Sequence, residues 1–373
     1  MDRVDLRWSL AGCTPQELSC LDAHLSGRIA GVGWWRLLDE MYTGNEFANL
    51  HAFFRGPDPQ APPWAFFSAQ YFPGLSIEHH LNLRGPWRAL ASLALRSVGV
   101  SGLKMSCLIV HSLTSVGSVV IDEGQEPRFA AALSGFLDGF RRQRPLNLVL
   151  FRSLGPELTA RLGGELERRG FSLLPGYGCN WVRFGEARTL DAFLTSLGQH
   201  RRQRLRVSLR QLTTGEIEST RLVDPAQVNG LASSIMRIKE DAATRHREAL
   251  SIPIRERPEL FGRALSDFGS DALFRVVRHR DGAGASGASG RGIAMGTLYP
   301  EAKQHHTWYL LALEMIRDLI ALDVRELNLG LGDDQLKAKV GARTDPQFSA
   351  ITFFPGPLRH LCRALIVPRL KRL

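Results

Sequence analysis

A glycine-hinged segment near the C-terminus combines acids and lysines at a spacing that suits chemistry on an anionic group. Residues Leu327–Gly341 read LNLGLGDDQLKAKVG, a short apolar run followed by two acids and two lysines. Gly330 and Gly332 permit positive φ and close approach of a ligand to the backbone. Lys337 and Lys339 share a face in an extended segment and diverge on a helix. A lysine on such a loop can stabilise an oxyanion or a phosphate. Local composition by itself favours the plainer interpretation, a strand and turn with solvated charges.

The acids of this segment have a supporting role in either interpretation. Asp333 and Asp334 follow Gly332 directly. Their short side chains can hydrogen-bond nearby backbone groups and so fix the loop, or they can pair with a cation. We therefore count Asp333 among the residues that form the loop, together with Gly330, Gly332 and Gly341.

An arginine-rich stretch earlier in the chain is the second candidate for binding an anionic group. On a helix, Arg202, Arg206 and Arg210 line one face, and leucines line another. Guanidinium forks bind phosphate bidentately, so these arginines, together with Arg201 and Arg204, could hold donor phosphates or a tRNA acceptor stem. The solvated face of an amphipathic helix is the alternative.

Other reactive residue types lack the spacing that specific chemistries require. The pairs His79-His80 and His305-His306 have no acidic or HxxxH partner at metal-ligand spacing, so no metal site is predicted. Histidines can act as bases near neutral pH, but surface histidines are the favoured interpretation of both pairs. The serines form no GxSxG elbow, and the nucleotide-binding glycine motifs do not occur in usable context.

Composition is typical of a globular protein that can bind anions. The 373 residues suffice for two domains, and 44% apolar with 23% charged residues argues against disorder. The net charge of +10 permits binding to RNA, nucleotide phosphates or an anionic membrane, although arginine usage can also reflect genomic base composition. The five cysteines form no CxxC pair, the start lacks a signal sequence, and no uncharged apolar run reaches about 18 residues. We therefore expect a cytoplasmic protein with reduced thiols.

Apolar periodicity predicts alternating strands and helices, which is typical of an α/β fold. The first helix has a clear start signal, with Thr14 as N-cap, Pro15 at the first helical position and Glu17 as the capping-box acid. The pattern restarts at Thr189, a second N-cap residue with Asp191 in the following turn. We place the boundary there, with an N-terminal domain at 1–187 and a C-terminal domain at 188–373.

The remaining predicted elements follow from the same patterns. Helices are predicted over 33–42, 127–143, 156–169, 189–212, 224–242 and 308–322. Strands are predicted over 64–71, 105–110, 118–121, 146–151, 180–184, 325–329 and 347–354. The segment 273–279 is predicted to pair with 292–299 across a flexible Gly/Ala/Ser loop at 281–290.

The second half of the sequence resembles a known group of proteins in three ordered pieces. These are the arginine-rich stretch Leu190–Leu212, the long apolar helix and short strand of Trp308–Asp334, and the lysine and glycine of Leu336–Gly341. Together they resemble the Fem-type aminoacyl-transferases and the related acetyltransferase-like proteins of polysaccharide biosynthesis, which are built on tandem GNAT folds. Gly330, Gly332, Lys337 and Gly341 match the family pattern by position. The resemblance implies two tandem GNAT-like domains, each a mixed twisted sheet flanked by helices.

The sequence also departs from the pattern of that family. Asn328 stands where the family usually has Asp, and Leu336 stands where it usually has an aromatic residue. The usual polar-Pro-Gly opening of the long helix is replaced by His305-His306-Thr307. The resemblance covers about residues 173–345 well, and the first half only by architecture.

The resemblance implies transfer of an acyl or aminoacyl group to an amine. The donor would be acyl coenzyme A (acyl-CoA) or aminoacyl-tRNA, used as a co-substrate, with no tightly bound cofactor. By position, Lys337 is the candidate catalytic residue that stabilises the tetrahedral oxyanion. Lys339 is the fallback or a phosphate contact, and Arg202, Arg206 and Arg210 are candidate donor-binding residues. The acceptor would be an amine-bearing small molecule or a cell-envelope precursor.

A non-catalytic module that keeps the fold is the alternative function. Its basic face would bind RNA or an anionic membrane. The basic amphipathic C-terminus at 358–373 could make a peripheral membrane contact or grip RNA, whereas packing of its apolar face against the protein is the favoured interpretation.

Overall fold

A computed structural model describes most of the chain. The described residues are 2–25, 31–42, 46–58, 61–76, 93, 96, 104–110, 119–214, 217–237, 257, 259–269, 272–279, 285–289, 294–297, 307–354 and 360. They divide into two compact units. Described residues of Met1–Tyr177 and Pro346–Leu373 belong to unit 1, and those of Gly178–Arg247 and Glu256–Asp345 belong to unit 2.

Unit 1 contains a mixed sheet. Its strands are β1 (Arg3–Arg7), β2 (Ala48–Arg55), β3 (Ala65–Ser76), β4 (Lys104–Val110), β5 (Val119–Ile121), β6 (Leu148–Leu154), β7 (Ser172–Pro175) and β15 (Phe348–Phe353). The strand order is β1-β2-β3-β4-β6-β15-β7, and β5 pairs with β3. Strands β4 and β6 run parallel, and the other neighbours run antiparallel. The helices are α1 (Pro15–Leu25), α2 (Gly31–Met41), α3 (Glu126–Gln143) and α4 (Pro156–Arg168).

Helices cover both faces of this sheet, which explains why its central strands are apolar without alternation. One face of β2 and β3 joins α3 and α4 in a core that includes Phe54, Phe67 and Phe129. On the other face, Trp35 of α2 lies against Phe66, with ring centroids 6.0 Å apart. The predicted α/β class, a mixed sheet flanked by helices, is therefore confirmed.

The predicted capping box forms at the start of α1. The Thr14 hydroxyl accepts a hydrogen bond from the Glu17 backbone N–H at 3.2 Å, and the Glu17 carboxylate accepts one from the Thr14 backbone N–H at 2.8 Å. The carboxylate is also paired with two arginines, Arg7 at 3.0 Å and Arg55 at 3.2 Å. Since the Glu17 side chain is fully buried, this cap is also a buried ion cluster that joins α1 to β1 and β2.

The Glu17 cluster makes unit 1 sensitive to acid. Burial alone raises the pKa of Glu17, but the Thr14 N–H and the two arginines bring that pKa below its ordinary value. A depressed carboxyl pKa gives stability that is present above the unfolded-state pKa and lost as the pH falls through the folded-state pKa. We therefore expect the urea midpoint of Glu17→Gln to depend less on pH between about 7 and 3 than the wild-type midpoint. The exposed Glu157 is the control, and a Glu157→Gln variant should keep the wild-type pH profile.

Unit 2 contains two sheets. Their strands are β8 (Cys179–Arg183), β9 (Ile217–Leu222), β10 (Phe274–His279), β11 (Ala285–Ser289), β12 (Ala294–Thr297), β13 (Glu326–Leu331) and β14 (Arg343–Asp345). The strand orders are β12-β11-β10-β9 in one sheet and β13-β8-β14 in the other. The helices are α5 (Leu190–Ser196), α6 (Gln199–Thr213), α7 (Pro225–Gly230), α8 (Leu260–Phe268), α9 (Thr307–Ala321) and α10 (Asp334–Ala338). Helix α9 is buried on almost every side and forms the centre of the core.

The structure differs from the sequence prediction at several places. The predicted helix 189–212 is two helices, because the chain is extended at Leu197 and Gly198. The predicted pairing of 273–279 with 292–299 is wrong, since β10 pairs with β11, which lies inside the predicted loop. Strand β15 was placed in the domain 188–373, but it pairs with β6 and β7 of unit 1. The boundary between the two units lies between residues 177 and 178, whereas the sequence predicted it between residues 187 and 188.

Candidate functional site

The glycine-hinged segment is a strand end, a left-handed turn and a short helix. Strand β13 ends at Leu331, and α10 begins at Asp334. Gly330, Gly332 and Asp333 have φ values of +77°, +68° and +51°. Only glycine adopts this region at no steric cost, which explains both glycines, and aspartate is among the residues that tolerate it best. The loop therefore has the turn that the glycine spacing predicts.

Gly341 closes the segment under two constraints. Its φ is +92°, and a Cβ placed there would lie 2.8 Å from Leu197 and 3.3 Å from Phe193. Leu197 follows the last residue of α5, and only Gly198 separates it from α6. A side chain at position 341 would thus be strained and would also collide with the segment between these two helices.

Lys337, the candidate catalytic residue, has a buried and fixed side chain. Only 8% of the residue is exposed, and its Nζ donates a hydrogen bond to the Leu331 carbonyl at 2.7 Å. Lys339 is the residue that follows α10 and is half-buried. Because 334–338 is helical rather than extended, the two lysines diverge, and Lys337 alone turns back toward the end of β13.

Asn180 on β8 contacts this loop from the neighbouring strand, and no sequence pattern indicated it. It is fully buried, and its Nδ2 lies 3.1 Å from the carbonyl oxygens of both Gly330 and Gly332. The same nitrogen lies 2.9 Å from Asp334 Oδ1. No spacing signal marks this residue, since β8 and β13 are about 150 positions apart in sequence.

A second buried asparagine, Asn328, holds the loop from the strand side. Its Oδ1 accepts a hydrogen bond from the Gly330 N–H at 2.7 Å and lies 3.3 Å from the Cys179 sulfur. Among the described residues no partner is found for its Nδ2. Burial is the main cause that raises the pKa of the Cys179 thiol, so this cysteine stays protonated and is a poor nucleophile.

The candidate donor-binding arginines lie on α6, which is amphipathic as predicted. Leu205 joins the core of unit 2, and Leu209 and Leu212 pack against that core. Arg206 and Arg210 are exposed, and Arg202 is half-buried. Arg206 pairs with Asp191 of α5 at 2.7 Å, where both side chains are largely solvated. The helix therefore presents cations at its surface, and Arg206 is paired to a neighbouring acid.

The other sequence candidates add nothing to the site within the described residues. His79-His80, His305-His306 and the basic C-terminal segment lie outside the described part of the chain, apart from His360. Where the chain is described, no three His, Cys, Asp or Glu side chains converge as metal ligands would. None of the described helices is long and apolar enough to cross a membrane.

Comparison with known proteins gives structural neighbours only. No family model and no curated protein matches the sequence. A lysylphosphatidylglycerol synthetase C-terminal domain from Agrobacterium fabrum is 13% identical, with a TM-score of 0.49 over 94% of this chain and 96% of that chain. L-PGS from Bacillus licheniformis is 12% identical, with a TM-score of 0.48 over 96% of this chain and 98% of that chain. A GCN5-related N-acetyltransferase from Sphaerobacter thermophilus is 10% identical, with a TM-score of 0.43 over 95% of this chain and 96% of that chain. The structural neighbours of this chain thus include GNAT-fold proteins.

Proposed function

We propose that unit 2 carries an N-acyltransferase site, which moves an acyl or aminoacyl group from acyl-CoA or aminoacyl-tRNA to an amine. The observation that carries the proposal is the buried ammonium of Lys337, which is held at 2.7 Å from the Leu331 carbonyl within a glycine-hinged loop. A charge fixed in a place of low water content stabilises a developing negative charge without reorganising during the reaction.

The proposed reaction needs no covalent enzyme intermediate. The neutral amine attacks the carbonyl carbon of the thioester or ester, and a C–N bond forms as the carbonyl oxygen becomes an oxyanion. The C–S or C–O bond then breaks, and the proton lost by the amine is taken up by water or by the leaving group. Lys337 stabilises the oxyanion, and correct placement of the two reactants supplies much of the remaining acceleration.

Phosphates of the donor are the proposed ligands of the arginine face on α6. Arg202, Arg206 and Arg210 recur at a spacing of four residues, which places them along one side of the helix. Both donors carry phosphates, and bidentate arginine contacts suit either of them. Lys339 is a further candidate phosphate contact. The acceptor is proposed to be an amine on a small molecule or on a cell-envelope precursor.

One observation favours a second function, a non-catalytic module that binds RNA or an anionic membrane. The hydrogen bond from Lys337 to the Leu331 carbonyl can also be purely structural, holding α10 against the end of β13. In that case the basic face of α6 binds a polyanion, and no transfer takes place. The two functions differ in whether a donor bound by the protein is consumed.

Salt-dependent binding tests the donor. We expect the triple variant Arg202→Ala, Arg206→Ala, Arg210→Ala to bind charged tRNA at least about tenfold more weakly, with a salt slope reduced by about two to three. A matched control replaces three exposed arginines of unit 1, Arg3, Arg142 and Arg168, and should keep wild-type binding.

Parallel titrations with acetyl-CoA and charged tRNA decide among the alternatives. Binding of charged tRNA alone, with release of the amino acid to an added amine, identifies a tRNA-dependent aminoacyl-transferase. Saturable binding of acetyl-CoA alone, with acetyl transfer, identifies a conventional acyltransferase. If the wild-type protein consumes neither donor in the presence of amines, the proposed transfer function is wrong.

A further inference from the structure

We infer that Asn180 is the positioning residue of the proposed transfer site, because its buried amide fixes the backbone of the loop that carries Lys337. Its effect on catalysis rests on the proposed function, whereas its effect on the loop rests on hydrogen bonds alone. Asn180 contacts the loop from β8, the strand that pairs with β13, and it is completely shielded from solvent.

The loop carbonyls set the direction of the Asn180 amide. Carbonyl oxygens of Gly330 and Gly332 can only accept hydrogen bonds, so the amide nitrogen must face β13 and the loop. The Thr344 hydroxyl, which can donate or accept, then donates to Asn180 Oδ1 at 2.8 Å from the strand on the other side of β8. Gly178 allows Thr344 to come this close, because a Cβ at position 178 would lie 2.0 Å from the Thr344 methyl carbon.

Two donors hold three consecutive carbonyl groups of the loop. The Asn180 amide lies 3.1 Å from the carbonyl oxygens of Gly330 and Gly332, and Lys337 holds the Leu331 carbonyl between them. The position of the Lys337 ammonium therefore depends on a peptide segment whose two flanking carbonyls are fixed by one side chain. Glycine has no conformational preference of its own at these φ values, so the fixing must come from outside the loop.

The Asn180 nitrogen also ties the loop to the start of α10. Its contact with Asp334 Oδ1 at 2.9 Å links the turn to the first residue of the helix that presents Lys337. An asparagine suits this place because its amide has two hydrogens to share among several oxygens. An aspartate of the same shape has no donor when ionised, and it would bring a carboxylate toward two carbonyls and Asp334.

The test compares Asn180→Asp and Asn180→Ala with the control Asn147→Ala. Asn147 is a partly buried asparagine of unit 1 that accepts hydrogen bonds from Ser106 and lies outside the proposed site. We expect backbone amides over 331–341 to exchange with deuterium at least about tenfold faster in both Asn180 variants, with unit 1 amides unchanged. In Asn147→Ala, only unit 1 amides should exchange faster.

The pH dependence of amide exchange distinguishes the loss of the Asn180 hydrogen-bond donors from a general loss of structure. A protonated carboxyl group donates one hydrogen bond, so Asn180→Asp should regain part of the loop protection as the pH falls. Asn180→Ala should not regain it. The variant Thr344→Val, at an exposed position, removes the hydrogen bond to Asn180 Oδ1 and keeps the shape of the side chain, and it should raise exchange over 331–341 to a smaller extent.

Transfer kinetics give the functional consequence. If the wild-type protein transfers an acyl or aminoacyl group, we expect Asn180→Asp to lower kcat by about 10- to 100-fold with little change in the KM of the donor. Unchanged exchange over 331–341 in all three variants of Asn180 and Thr344 would overturn the inference. A wild-type protein without transfer activity would overturn the proposed function instead, and the exchange data would still decide whether Asn180 fixes the loop. Faster exchange with an unchanged kcat would overturn the catalytic consequence.

Discussion

Replacing Arg275 with methionine is expected to lower the free energy of unfolding by about 3–5 kcal/mol, the effect of removing one partner from a buried ion cluster. Arg275 lies on β10 and is 8% exposed. Its guanidinium donates to both carboxylate oxygens of Asp318 at 2.7 Å and to Glu314 at 2.9 Å. These acids lie on α9, the central helix of unit 2, so the cluster joins that helix to the sheet.

The size of the effect comes from the two buried carboxylates that would lose Arg275. Glu314 and Asp318 are four residues apart on one helix, so they face the same way and repel each other once Arg275 is absent, although Arg317 still pairs with Glu314. Both carboxylates are nearly shielded from water, which makes an unpaired charge costly. Adding Glu314→Gln and Asp318→Asn to Arg275→Met should therefore restore more than half of the lost stability.

Urea unfolding of the single and triple variants checks this explanation. The triple variant should unfold at a urea concentration between those of Arg275→Met and the wild-type protein. Arg188 is the control because it pairs with Asp323 at 2.9 Å where both side chains are mostly exposed. Arg188→Met should change stability by less than about 0.5 kcal/mol. An equal loss in both variants would mean that burial of the Arg275 cluster has no special effect.

The parts of the fold that the sequence predicts are those set by local signals. The capping box at Thr14 and Glu17 depends on residues three apart, and the predicted start of α1 is observed. Long apolar periodicity likewise predicts α9 to within one residue at either end. The segment Ala285–Ser289 was missed as a strand because its alanine, serine and glycine residues show no apolar alternation. Only its backbone pairing with β10 and β12 defines it.

Long-range pairing explains what the sequence could not predict. Phe348–Phe353 has an ordinary strand pattern, and nothing local indicates that its partners lie about 200 positions earlier in β6 and β7. The turn at the loop glycines was predicted from their spacing and is observed, whereas Lys337 was singled out by the family resemblance. Asn180 was not predicted, because its importance comes only from the strand β8 that places it beside the loop. The role of the α6 arginines in donor binding remains a prediction.

Replacing Lys337 is expected to have the largest effect on transfer. The variant Lys337→Met keeps the length of the side chain and removes its charge, and we expect kcat to fall by about 10²- to 10³-fold, as for loss of one oxyanion-stabilising group. The KM of the donor should change little, because the lost interaction would be made mainly in the transition state. Single-turnover kinetics with the donor identified by the binding experiments measures this step.

Lys339→Met is the matched control, since this lysine is two residues away, half-buried and on a different side of the chain. It should keep kcat within about threefold of wild type, and any loss should appear in donor binding. The Leu331 carbonyl loses its partner in Lys337→Met, so thermal unfolding must be measured alongside activity.

Lys337→Arg keeps the charge but has a planar donor group of a different shape, and it should fold while transferring more slowly than wild type. A folded Lys337→Met protein with the full transfer rate would exclude Lys337 from the mechanism. Its hydrogen bond to Leu331 would then have only a structural role, joining α10 to β13.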